Sequence, residues 1–303
     1  IVRHVARQCG VPYVVTLHGG LLDVPSDEAA QWTAPTQGAI EWGKILGWWV
    51  GSRRVIEDAA AVICVGGREF RAVSRQYPRQ RVVQLPNGVD VQRFRHGDGP
   101  AFRARYNISP AARVLLCVGR IDPQKNQLEL VRALPNMLRS TPNVHLVMVG
   151  HVTNPEYASR IRREVEDLGL AGNVTLVPGI DPQSSELSNA YHAADVFVLP
   201  SLHEPFGIVV VEAWAAGVPV VASRVGGLAD LIEDRRNGML FDASDRHDCI
   251  ARVWDALHMS RDQLRAMTDR AMHQAEQQYS WERITKRLLE VYQEVSRDTF
   301  TNA

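Results

Sequence analysis

The 303 residues are 45% apolar and 22% charged, a globular balance that suits two domains of ordinary size and a sizeable core. Lys plus Arg equals Asp plus Glu at 34 each, which speaks against a nucleic-acid partner or a polybasic membrane surface read from bulk charge. No apolar run approaches the roughly 18 residues that a bilayer requires, and the chain opens on Ile1 rather than Met, as a piece of a longer gene product would.

From Val11, VPYVVTLHGG reads as a strand that ends in His18 and a glycine pair, where backbone can approach a ligand closely. Leu21 to Asp58 carries four tryptophans and a helical pattern from about Gly38. Gly38-x4-Gly43-Lys44 imitates a phosphate loop, but Ile45 stands where Ser or Thr would bind magnesium and no strand precedes it, so the match is discarded. The paired Trp48 and Trp49 could face a membrane or an acceptor, although packing beside a helix is the commoner use. AAVICVGG (Ala60 to Gly67) and RVVQLPNGVD (Arg81 to Asp90) are a second and a third strand, with a helix between them that Pro78 stops. HGDGP, His96 to Pro100, reads as a linker, which places one domain at 1–98 and another at 99–280.

From Arg113 the strand-loop-helix rhythm restarts. RVLLCVGRIDPQKN ends a strand in a loop that holds Gly119, Arg120, Lys125 and Asn126, two cations beside a helix start, well placed for a diphosphate or merely solvated. HLVMVGH and NVTLVPGI are further strands, the latter ending at Gly179. VFVLP then leads through Glu204, Pro205, Phe206 and Gly207 into the helix IVVVEAWAAG, and Glu212 lies about 7 Å along its axis from Gly207 at 1.5 Å per residue. An acid at a strand end, bare N–H groups opening a helix, and a second acid on its side match a nucleotide sugar, with hexose hydroxyls, diphosphate and ribose hydroxyls in that order. The bland alternative is two unrelated glutamates in an ordinary α/β unit. VPVVAS, NGMLFD and a helical remainder follow. Trp281 to Arg297 is amphipathic, with Ile284, Leu288, Val291, Tyr292 and Val295 on one face. The layout is α/β, with two Rossmann-like domains whose strand-end loops face one cleft. Cys9, Cys64, Cys117 and Cys249 are widely spaced without metal-ligand spacing, which suggests reduced thiols and a cytoplasmic setting.

Gly119-Arg120 with Lys125, Pro200-Ser201, EPFGIVVVE (Glu204 to Glu212) with AWAAGVPVVAS, Val225 to Gly227, and NGMLFD resemble the family-4 retaining glycosyltransferases of the GT-B fold. The likeness covers most of Arg113 to Asp245 in order, and TLHGG and PNGVD extend it more weakly into the first domain. It implies a donor site in the second domain. Arg120 and Lys125 would hold the diphosphate and stabilise charge on the departing nucleoside diphosphate, Glu204 the hexose, and Glu212 the ribose. The backbone of Phe206, Gly207 and Ile208 would meet phosphate and sugar, and Gly179 and Ile180 would flank the base. His18 would face the reacting carbon. No cofactor is implied, since the nucleotide sugar is a substrate, and the lack of an Asp-x-Asp pair is consistent with metal independence. The acceptor, whether lipid, polysaccharide or small molecule, is left open, as is peripheral contact with the inner face of a membrane.

The first domain shows three strands where the family has five or six. The expectation is an incomplete domain with an exposed edge and an uncovered apolar face, completed by self-association or another chain, with helix 281–303 packed back upon it. Two alternatives stand beside transfer: a donor-binding subunit without turnover, and a sugar-nucleotide epimerase of the same fold.

Overall fold

The computed structural model describes residues 2–19, 54–181 and 183–301. The tryptophan-rich stretch and the discarded phosphate-loop match lie outside the described residues. The chain divides into two compact units, Ile1–Asn87 with Glu282–Ala303, and Gly88–Trp281.

In the first unit α1 (Val2–Cys9) precedes β1 (Val14–Leu17), β2 (Ala61–Cys64), α2 (Gly67–Gln76) and β3 (Val82–Gln84). The strands form one parallel sheet in the order β1-β2-β3. Strand periodicity sends alternate β2 residues to opposite faces. Ala61 and Ile63 pack with Leu85 and with Ile284, Val291 and Val295 of the last helix, Trp281–Thr301. Val62 and Cys64 pack with Val73 of α2. Both faces of β2 are therefore covered, which corrects the expectation of an uncovered apolar face there. Arg81 pairs with Glu294 of the same helix, whereas Tyr292 is exposed and not part of the buried stripe assigned to it.

The second unit begins with α3 (Val91–Phe94) and α4 (Gly99–Arg105), and the intended linker is part of it. Asp98 caps α4 by accepting from Ala101 N at 2.9 Å, and its own N–H donates to Asn189 Oδ1 at 2.7 Å. Arg103 reaches back to Ala193 O and Asp195. A hydrophilic stretch can be structural when its polar groups are spent on caps and carbonyls.

The remainder runs β4 (Arg113–Val118), a short 3-10 turn at Pro123–Lys125, α5 (Gln127–Ser140), β5 (Val144–Val149), α6 (Pro155–Asp167), β6 (Val174–Val177), α7 (Glu186–Ala193), β7 (Val196–Leu199), α8 (Ile208–Ala215), β8 (Val220–Ser223), α9 (Leu228–Leu231), β9 (Met239–Phe241), α10 (Arg246–His258) and α11 (Arg261–Tyr279). The six strands are all parallel in the order β6-β5-β4-β7-β8-β9. Strands β5, β7, β8 and β9 are buried along their whole length, as parallel strands covered by helices on both faces must be. Cys117 lies in β4 and Cys249 in α10, both buried, and burial pushes each thiol up to about 12. No helix among the described residues is long and apolar enough to cross a membrane.

Counted within this unit, the strand order is that of a doubly wound nucleotide-binding sheet, 3-2-1-4-5-6. The direction in which successive strands are added to the sheet reverses between β4 and β7. Ligands of such sheets sit in the crevice beyond the carboxyl ends of the two strands flanking that reversal, so the fold itself points to the loops after Val118 and Leu199.

Candidate donor site at the switch point

The loop after β4 is anchored before it can present anything. Ile121 is fully buried, its N–H donating to His151 O at 2.8 Å, and Gln127 Nε2 donates to Arg120 O at 2.6 Å. Asp122 accepts from Lys125 N at 3.2 Å, and Pro123 at the first turn position needs no partner. Arg120 and Lys125 then diverge. The Arg120 side chain is 55% exposed, its guanidinium 3.3 Å from Asp122 Oδ2 and donating to Gln124 Oε1 at 2.9 Å. Lys125 turns inward along Gly119.

The loop after β7 is tied to it. Leu202 N donates to Gln124 O at 2.8 Å, and Ser223 Oγ of β8 donates to Ser201 O at 2.5 Å. Glu204 is thereby brought against Lys125, Nζ to Oε2 2.5 Å, with both side chains largely buried at 13% and 11% exposure. Loops separated by about eighty positions in the chain thus deliver opposite charges to one point. Gly207 sits at φ +99°, a conformation that L side chains rarely adopt, and turns the chain into α8. That helix is held by Val210, Val211, Ala213 and Trp214, all fully buried. Phe206 is buried and Ile208 exposed at its start.

The structure brings Arg120, Lys125 and Glu204 together at the reversal point. Glu212, one turn into α8, has a different partner: the buried Tyr191 hydroxyl of α7 donates to its Oε2 at 2.7 Å. Burial pushes the Glu212 carboxyl up to about 7, against the lowering effects of that hydroxyl and of the Arg93 guanidinium. Gly179, at φ +107°, follows β6 and lies along the His151 ring; Ile180 beside it is half-buried. His18 is exposed at the end of β1 in the first unit. Sequence reasoning did not find Asp122, Gln124, Gln127 or Tyr191. The Asp-Pro pair at 122–123 is a local signal for a cap; Tyr191 has none, because only the topology places α7 beside α8. Among the described residues no group of three or more His, Cys, Asp or Glu is arranged to hold a metal ion.

A carboxyl raised by folding favours the protonated native state, so its contribution is fully present below the unfolded carboxyl value and is lost as pH rises through about 7. Glu212→Gln should flatten the loss of stability between pH 5 and pH 8 by on the order of 1–3 kcal/mol relative to wild type. Urea unfolding at the two pH values reads this, and parallel curves for both proteins would contradict it.

Residues 98–274, more than half of the chain, match the family described as glycosyl transferases group 1. The chain belongs to that family. Residues 1–88 match the glycosyl transferase 4-like domain. A D-inositol 3-phosphate glycosyltransferase of Segniliparus rotundus is 36% identical over 251 residues, 82% of this chain and 55% of the relative. The Nocardia farcinica protein of the same description is 33% identical over 288 residues, 93% of this chain and 61% of the relative. The chain thus spans little more than half the length of these curated relatives. Among solved structures, Anabaena Alr3699/HepE in complex with UDP superimposes with a TM-score of 0.77 at 22% identity, covering 96% of this chain and 75% of that one. The sucrose-phosphate synthase of Thermosynechococcus elongatus gives 0.74 at 25%, covering 98% and 72%. The α/β fold is that of the GT-B glycosyltransferases.

Proposed function

We propose that the chain carries the donor half of a retaining glycosyltransferase that moves a hexose from a nucleoside-diphosphate sugar to an acceptor. The observation that carries this reading is the contact between Lys125 and Glu204 at the strand-order reversal, with Arg120 on the same loop. Two cations suit a diphosphate, and an ionised carboxylate accepts hydrogen bonds from sugar hydroxyls with charge assistance. As the bond to the anomeric carbon breaks, negative charge gathers on the leaving diphosphate. Arg120 and Lys125 stabilise it. Glu212 takes the ribose, the Phe206–Ile208 backbone meets phosphate and sugar, and Gly179 and Ile180 border the base. His18 is the first unit's candidate catalytic group. Structures of like fold in complex with UDP and with UDP-glucose make uridine donors the first to try, and the description of the curated relatives makes inositol 3-phosphate the first acceptor.

A thermal-shift series of nucleoside diphosphates tests the site, and release of nucleoside diphosphate from the sugar donor with acceptor present tests the reaction. A ligand at 100 times its Kd adds about 2.7 kcal/mol, several degrees for a chain of this size. Absence of a shift with every nucleoside diphosphate would overturn the donor site. A shift without turnover would favour the binding-subunit alternative over the transferase.

A further inference from the structure

We infer that Asp122 is a positioning residue that sets both cations of the donor loop. This rests on the donor reading for its purpose, though not for its geometry. The carboxylate is buried and uses both of its oxygens. Oδ1 accepts the Lys125 N–H at 3.2 Å and so closes the 3-10 turn from which the Lys125 side chain departs. Oδ2 accepts from Thr153 Oγ at 3.2 Å, which ties the loop to the segment after β5, and stands 3.3 Å from the Arg120 guanidinium. A single side chain thus fixes the backbone of one cation, the head group of the other and the neighbouring strand end.

Geometry makes this more than an ordinary cap. A cap satisfies one N–H of a turn. Here the turn residue that the cap orders is the lysine that reaches Glu204, and the second oxygen restrains an arginine that is otherwise half in solvent. Two long flexible side chains lose considerable rotamer freedom when they close on an anion, and restraint before binding reduces that loss. The sequence Arg120-Ile121-Asp122-Pro123-Gln124-Lys125 therefore reads as anchor and payload alternating along one loop. Ile121 and Asp122 are buried, and the cations leave on either side of them.

The experiment compares Asp122→Ala with Asp122→Asn in the full chain. Asparagine keeps an oxygen for the Lys125 N–H and an amide able to meet Thr153, so it retains the turn; alanine removes both. In the unliganded proteins, hydrogen exchange of the peptide covering 119–126 should rise at least about tenfold in Asp122→Ala and stay near wild type in Asp122→Asn. UDP affinity should fall about tenfold in the first and about threefold in the second, whose amide keeps the turn but no longer accepts from the Arg120 guanidinium. In an Arg120→Ala background the further loss from Asp122→Ala should shrink, because one of its two clients is gone. Unchanged exchange in Asp122→Ala, or equal damage by Asn and Ala, overturns the positioning role. Exchange that rises as expected in a protein that binds no nucleoside diphosphate leaves the positioning role standing and removes the donor reading instead.

Discussion

Glu204→Ala is expected to lower sugar transfer by a factor on the order of 30 to 1,000 while nucleoside diphosphate still binds. The factor corresponds to about 2–4 kcal/mol, the usual cost of removing one charged contact aimed at a reacting ligand. The asymmetry between the two effects comes from the ion pair. In the unliganded protein Glu204 neutralises Lys125 at 2.5 Å. Removing the carboxylate leaves the ammonium to the diphosphate alone, so UDP should bind as tightly as before or more tightly. Lys125→Ala should do the reverse. It deprives the diphosphate of a cation and strands a largely buried carboxylate, so that binding, transfer and stability all fall. The double variant should cost less than the two single losses combined, since each partner is worth most in the presence of the other. Isothermal titration with UDP and initial transfer rates for the three variants decide it. Wild-type transfer by Glu204→Ala, or abolished UDP binding in the same protein, would sink the role given to this glutamate.

Why this pair was foreseeable, and Asp122 was not, follows from the physics of parallel sheets. Residues 114–118 of β4 and Val196–Leu199 of β7 are buried and announce themselves as uninterrupted apolar runs, so the loops at their carboxyl ends are marked in the sequence. Arg120, Lys125 and Glu204 lie in such loops and carry charge, which gives them two signals each. Asp122 carries the same charge as any solvated loop acid, and what distinguishes it is burial. Tyr191 is further from view. Its hydroxyl matters only because the fold brings it to Val209 O and Glu212 of α8, a tertiary fact that no local pattern encodes. Short elements also escaped. The four residues of α3, Val91–Phe94, are fewer than an amphipathic repeat needs, and α1, Val2–Cys9, buries none of its residues and so shows no core-facing constraint. The hydrophilic composition of His96 to Pro100 suggests a linker but does not reveal that Asp98 caps α4 and donates to Asn189. Spacing puts Tyr292 on the apolar face of the last helix, but it lies at the margin of a stripe whose centre is Val291 and Val295 and is exposed.

The second large effect should come from a position with no functional group at all. Gly227→Ala is expected to destabilise the chain by about 1–3 kcal/mol, as overpacking does, and to depress transfer as strongly as loss of Glu204 itself. The Gly227 N–H donates to Glu204 O at 2.7 Å, so the segment after β8 is stitched to the backbone that carries the glutamate. A Cβ at 227 would overlap the Pro205 carbonyl oxygen and stand 2.7 Å from Pro205 C and 2.8 Å from Phe206 Cα. All three are backbone atoms, and none can rotate aside as a side chain would. Relief requires the 204–206 segment to move, which separates Glu204 from Lys125 and shifts the Phe206–Ile208 backbone at the start of α8. Gly172→Ala is the matched control, because a Cβ there meets nothing within 4 Å. Melting temperature, UDP affinity and transfer rate should all fall for Gly227→Ala and remain near wild type for Gly172→Ala. Were the two variants indistinguishable, the close approach would be without consequence for the loop, and Glu204 would owe its place to something other than the backbone that the glycine admits.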